Sequence, residues 1–150
     1  MRDINEEVRR KAGEYFNRGY NCAQAVALSN VEVFNGPVEG VRQMAAGFGH
    51  GMSAGCACGA LTGGVMAIGL LLAGPEAAGF DRGIAEAAAE LHKRFVGEFG
   101  LTCCRALRRR SSPLKNSRCK KITVTAAAIT LELLLSGKQL PSAPVGVHPL

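Results

Sequence analysis

Cys22, Cys58, Cys104 and Cys119 stand in contexts that can give sulfur a task. Cys22 opens a helical pattern, Cys58 a glycine-rich one, Cys104 heads a basic stretch and Cys119 opens the last helical run. A thiol at a helix start lies near the positive end of the macrodipole and its unpaired N–H groups, which favours thiolate, the form that ligates metals and attacks disulfides. Four thiolates from separate parts of one domain can ligate an iron–sulfur cluster, close a zinc site, or work as dithiol pairs that exchange with disulfides. A zinc ribbon shows close CxxC pairs and this chain has none. Large separations suit helices that converge on a cofactor, so the cluster leads, the dithiol follows and zinc comes third.

Within Gly55-Cys56-Ala57-Cys58-Gly59-Ala60-Leu61-Thr62-Gly63-Gly64, small residues, Gly59 and Gly63 among them, let a cofactor or another helix approach closely. Cys56 and Cys103 each neighbour one of the four cysteines; they read as small buried hydrophobes, with a resolving thiol as the alternative. His50, beside the glycine run, is a candidate extra ligand or donor to sulfur, while His92 and His148 read as ordinary surface histidines. No Ser/His/Asp set, P-loop or dinucleotide fingerprint is present.

Helices must position these sulfurs. Ile4, Val8, Ala12 and Tyr15 recur at helical spacing up to Gly19. Asn21 reads as an N-cap for a helix that ends before Asn35-Gly36-Pro37, and a short helix follows around Val41 to Ala46. The glycines from Gly47 to Gly55 predict a loop, after which a helix runs from Cys58 or Gly59 to Leu72 and stops at Gly74-Pro75. Asp81 caps a helix burying Ile84, Ala88, Leu91 and Phe95. The last helix buries Ile122, Ala126, Ile129 and Leu133 and ends at Ser136-Gly137. No strand pattern of useful length occurs, so the expected fold is all-α: a single-domain bundle of about five helices with a glycine-rich loop and a basic loop. Residues 1–137 form that domain, and residues 138–150, with three prolines and no periodicity, a poorly ordered tail.

At 150 residues and 47% hydrophobic, the chain can bury a core without covalent staples. Its first residues, Met1 to Glu7, lack the apolar core of a signal peptide, so a reducing, cytoplasmic setting is expected. The uncharged stretch from Gly51 to Pro75 is rich in glycine and strongly apolar only from Val65 to Ala73, which predicts a buried helix and no membrane span.

Asn21-Cys22-Ala23-Gln24-Ala25, Cys58-Gly59-Ala60-Leu61-Thr62-Gly63, Phe99 to Leu107, and Cys119 before a terminal helix together resemble the redox-active C_GCAxxG_C_C family over roughly residues 3 to 135. The resemblance makes Cys22, Cys58, Cys104 and Cys119 the family cysteines and leaves Cys56 and Cys103 as extras. The family is similar to the non-haem domain of split-Soret cytochromes, which implies an iron–sulfur role; with no CxxCH sequence, covalent haem is not expected. One departure is Leu107-Arg108-Arg109-Arg110, where the family turn would carry leucine and glycine.

Arg105, Arg108, Arg109, Arg110, Lys115, Arg118, Lys120 and Lys121 surround Cys104 and Cys119 without an intervening acid, and account for the whole positive excess. Such a field can stabilise thiolates or an anionic cluster and steer an acidic redox partner, or be a solvated loop. Without interleaved aromatics to stack on bases, nucleic acid is not expected. The sequence therefore predicts an electron-transfer protein with an iron–sulfur centre; the alternatives are a thiol–disulfide oxidoreductase and a non-catalytic accessory subunit of a redox or transport assembly. A homodimer is expected from the glycine-lined helix faces.

Overall fold

Local capping defines the helices. Asp3 accepts from the Asn5 amide to start α1 (Ile4–Asn17). Asn21 and Gln24 form a reciprocal capping box at α2 (Cys22–Val33): the Gln24 amide donates to Asn21 Oδ1 at 2.9 Å and the Asn21 amide to Gln24 Oε1 at 3.1 Å. A cap of this kind contributes about 1 kcal/mol. It also fixes where Cys22 lies, in the first helical residue. Short α3 (Val41–Ala45) follows, and Asp81 caps α5 (Arg82–Phe99) through the Ile84 amide. The remaining helices are α4 (Gly59–Leu72), α6 (Cys104–Arg109) and α7 (Lys115–Ser136). This computed structural model describes residues 3–109 and 115–137; the tail expected over 138–150 and residues 110–114, the middle of the expected basic loop, lie outside the described residues.

The expected all-α domain is observed, with short α3 and α6 added to five longer helices among the described residues. α7 runs through the centre, against α1, α2, α4 and α5. That placement explains its weak amphipathicity, since a helix packed on several sides is apolar on several sides. Val8, Val26, Ile68, Leu91, Phe95 and Leu131 are fully buried in one core. Asn30 on α2 is buried as well and donates to the Ala127 carbonyl on α7 at 3.1 Å. Among the described residues, no helix is long and apolar enough to cross a membrane.

Small residues on α4 set its closeness to its neighbours. A Cβ on Gly63 would sit 2.8 Å from Ala23 Cα on α2, and one on Gly64 would meet Thr130 Oγ1 of α7 at 2.6 Å. The glycines thus serve helix-to-helix approach, and a side chain at either position would force the helices apart.

The glycine run is the expected loop: a 3₁₀ turn over Ala46–Phe48 and a π-type turn over Gly51–Gly55 in which Met52 and Ser53 have left-handed, non-helical backbone angles. One expectation needs correction. The basic stretch is helical at both ends, in α6 and from Lys115 onward, so Cys119 lies in the second turn of α7 and does not open the helix.

Candidate functional site

Cys22 enters at the start of α2, Cys58 at the cap position of α4, Cys104 at the start of α6 and Cys119 near the start of α7. All four line one cavity of about 260 Å³ at that end of the bundle. Phe16, Tyr20, Ile122 and Leu107 supply apolar walls, and Asn21, His50 and Arg108 supply polar ones. Cys58 is 6% and Cys104 9% exposed. Gly59 lines the cavity too, whereas Gly63 is absent from its lining and faces Ala23 of α2. Of the two purposes that small residues could serve there, Gly63 serves the helix contact.

Two devices bring Cys58 and Cys104 to the cavity. The first is a minimal antiparallel clamp in which Ala57 pairs with Cys103. The Cys58 amide donates to Thr102 O at 2.7 Å and the Cys104 amide to Cys56 O at 2.6 Å. The second is Gly51, at φ +61°, where a Cβ would lie 2.8 Å from Cys104 Cβ and 2.5 Å from the Cys56 nitrogen. Only glycine allows that left-handed turn to pass so close to both cysteines.

Burial governs the state of these thiols. It pushes Cys58 up to about 12, while the amides of Ala60 and Leu61 at the α4 start pull the other way and the neighbouring Cys22 and Cys104 add to the rise. Burial also raises Cys22, opposed by a hydrogen bond with the Thr123 side chain and reinforced by Cys119 and Cys104. Cys104 rises for the same leading reason, with the Arg108 guanidinium opposing. The expectation that helix starts favour thiolate is therefore overturned for these three: losing water costs the anion more than the helix end returns.

His50 adopts φ +53° and is exposed at the lip. Its Nδ1 lies 3.3 Å from Arg108 Nη1, and since the guanidinium can only donate, the imidazole hydrogen belongs on Nε2. Thr123, which the sequence reading missed, is buried and donates to the Cys119 carbonyl at 2.7 Å. Its position four residues after Cys119, one helical turn, was the available signal. Tyr20 and Phe16 gave no comparable signal, because they come from the chain reversal between α1 and α2 and from the last turn of α1 before it.

The rim differs. Cys56 and Cys103 are exposed, which corrects their reading as buried hydrophobes. The Cys103 thiol donates to Gly55 O at 3.2 Å. His92 is exposed on α5, as expected, and His148 lies outside the described residues. Among the described residues, no three His, Cys, Asp or Glu side chains converge closely enough to hold a single metal ion.

No curated protein and no solved structure matches this chain. Residues 20–133 match the family described as Putative redox-active protein (C_GCAxxG_C_C), a span that takes in all four cavity cysteines. The chain thus belongs to the C_GCAxxG_C_C family.

Proposed function

We propose that this redox-active protein transfers electrons through an iron–sulfur centre held by Cys22, Cys58, Cys104 and Cys119. The observation that carries the reading is the meeting of four thiols, from four different helices, around one cavity. Four cysteine ligands are the usual set for such clusters. The cavity of about 260 Å³ far exceeds the roughly 30 Å³ that one water occupies, and among the described residues no three donors gather on one point. Spaced sulfurs around a large volume suit a polynuclear group better than one zinc ion, which needs four sulfurs at about 2.3 Å.

When bound, such a centre supplies a one-electron couple. The chain's own residues prepare the site and shield it. Cys22, Cys58 and Cys104, held protonated by burial, release their protons on ligation, which makes loading pH-dependent. The Ala60 and Leu61 amides and the Arg108 guanidinium offset the negative charge that thiolates bring. Leu107, Ile122, Phe16 and Tyr20 put apolar surface beside the sulfurs. Buried, protonated thiols are weak nucleophiles, which favours ligation over disulfide exchange as their task.

One observation favours dithiol exchange as the second reading: Cys22 lies close enough to Cys119 and Cys104 for each to affect its ionisation. A reducing compartment such as the cytoplasm, which keeps the sulfurs as thiols, belongs to the proposal. So does an acidic partner that docks at the lip near Arg105 and Arg108. The exposed Val65 and Leu70 beside Gly69, which has open space around it, support a homodimer through α4.

Purification without oxygen or chelator, followed by a visible spectrum and iron, zinc and acid-labile sulfide analysis, tests the reading. Stoichiometric iron and sulfide, lost in Cys58→Ser and Cys104→Ser, is the expected result. A colourless, metal-free protein whose cavity thiols pair reversibly would replace it with the dithiol reading.

A further inference from the structure

The two cysteines outside the family pattern lie on opposite strands of the same clamp. Ala57 pairs directly with Cys103, so Cys56 is one residue from the directly opposed position. The two backbone hydrogen bonds flanking that pair mark the arrangement in which opposed Cα atoms are closest, about 4.5 Å apart in regular strands. In regular strand geometry one residue further along adds about 3.4 Å at right angles, so such a diagonal pair of Cα atoms lies about 5–6 Å apart. Disulfides span roughly 4.4–6.8 Å between Cα atoms.

Regular strand alternation would turn the two side chains to opposite faces. The chain at Cys56 is not regular. Leaving the π-type turn, Cys56 has φ −89° and ψ −134°, well away from strand geometry. The Cys103 sulfur already lies 3.2 Å from the carbonyl oxygen of Gly55, whose peptide bond leads into Cys56. Both side chains are exposed, so an external reagent can reach either one.

We propose that Cys56 and Cys103 form a second redox site, a reversible disulfide on the clamp that exchanges with a low-molecular-mass disulfide. One sulfur attacks the external disulfide and releases one small thiol; the other then attacks the mixed disulfide and releases the second. One S–S bond breaks and one forms, and the two thiol protons leave with the two small thiols. Two electrons pass from the clamp to the external disulfide, and a small dithiol returns them. The link ties together the two segments that deliver Cys58 and Cys104 to the cavity. It goes beyond the cluster reading and stands without it.

The test exposes the full-length protein, purified without oxygen, to oxidised glutathione, then blocks residual thiols and measures intact and peptide masses. The expected product has lost the mass of two hydrogen atoms and carries one link between the peptides containing Cys56 and Cys103, reversed by dithiothreitol. Cys56→Ser and Cys103→Ser should each lose the link and instead retain a glutathione adduct at the remaining rim thiol. Wild-type protein that ends with glutathione on both rim thiols, or that links a rim cysteine to a cavity cysteine, overturns the proposal. So does wild-type protein that stays fully reduced.

Discussion

Six thiols lie at one end of this molecule in two contrasting settings, four around the interior of a cavity and two on its rim. Cys58 and Cys104 are reached through a clamp whose backbone hydrogen bonds leave their sulfurs inside, while Cys56 and Cys103, on the same clamp, remain exposed. Each of the clamp's two short segments therefore supplies both kinds of sulfur. The contrast shows that solvent access, more than helix position, sets what each thiol can do. Cys58 caps α4 and still has its pKa pushed up to about 12. Cys22, Cys58 and Cys104 are suited to wait protonated for a group that displaces the proton, and the exposed Cys56 and Cys103 to meet reagents from solution.

The largest expected effect tests this division directly. Cys58→Ser should abolish iron and sulfide binding outright, and Cys56→Ser, only two residues away, should leave both at the wild-type level in metal analysis. Equal loss in the two variants would erase the distinction. Next comes the architecture that holds the cavity open. Gly63→Val should destabilise the fold by about 3 kcal/mol in urea titration, because the new side chain drives α4 from the α2 backbone at Ala23. Gly51→Ala should cost about 2 kcal/mol through its left-handed φ and its approach to Cys104 and Cys56. With the metal removed, N-ethylmaleimide at neutral pH should label Cys56 and Cys103 at least about 100-fold faster than Cys58, as read by peptide mass mapping. Comparable rates would mean the cavity opens freely.

The sequence made the helices and the four sulfurs legible for local reasons. Asn21 followed by Gln24, Asp81 before an apolar period, and glycine after Cys58 all act within a few residues, so their consequences can be read without a fold. The spaced cysteine pattern led to the family. Ionisation was misread because the macrodipole is a local property and burial is not: Cys58 is shielded by residues as distant in sequence as Leu107 and Ile122. Cys56 and Cys103 were misplaced for a related reason. Their exposure depends on the pairing of Ala57 with Cys103, a contact between segments far apart in the chain, and a single bridge leaves no alternating pattern to detect. Gly63 had two possible purposes until Ala23 was seen against it.

The smallest expected effect comes from the outer α1–α2 contact, and it calibrates the rest. Glu32 accepts hydrogen bonds from the Tyr15 hydroxyl and from Lys11 Nζ, the latter at 2.9 Å. Burial alone would raise the Glu32 carboxyl, but Tyr15 and Lys11 outweigh it and hold its pKa below the ordinary value. That contribution to stability is present above the unfolded carboxylate pKa and is lost as pH falls through the lower folded one. Tyr15 is raised from 10.0 to about 12, first by burial and then by Glu32. Its contribution is complete below pH 10 and disappears as pH rises through about 12. Glu32→Gln should thus remove the acid limb, weaken the alkaline one and cost about 1 kcal/mol at neutral pH. Because this contact lies outside the cavity lining, the same variant should keep its iron content and its pattern of thiol labelling. A change in either would show that the α1–α2 contact reaches the sulfurs through Tyr20, which meets Tyr15 edge to face at 5.1 Å and also lines the cavity. The division between interior and rim would then extend along α1, and Tyr20→Ala would be the variant that locates its boundary.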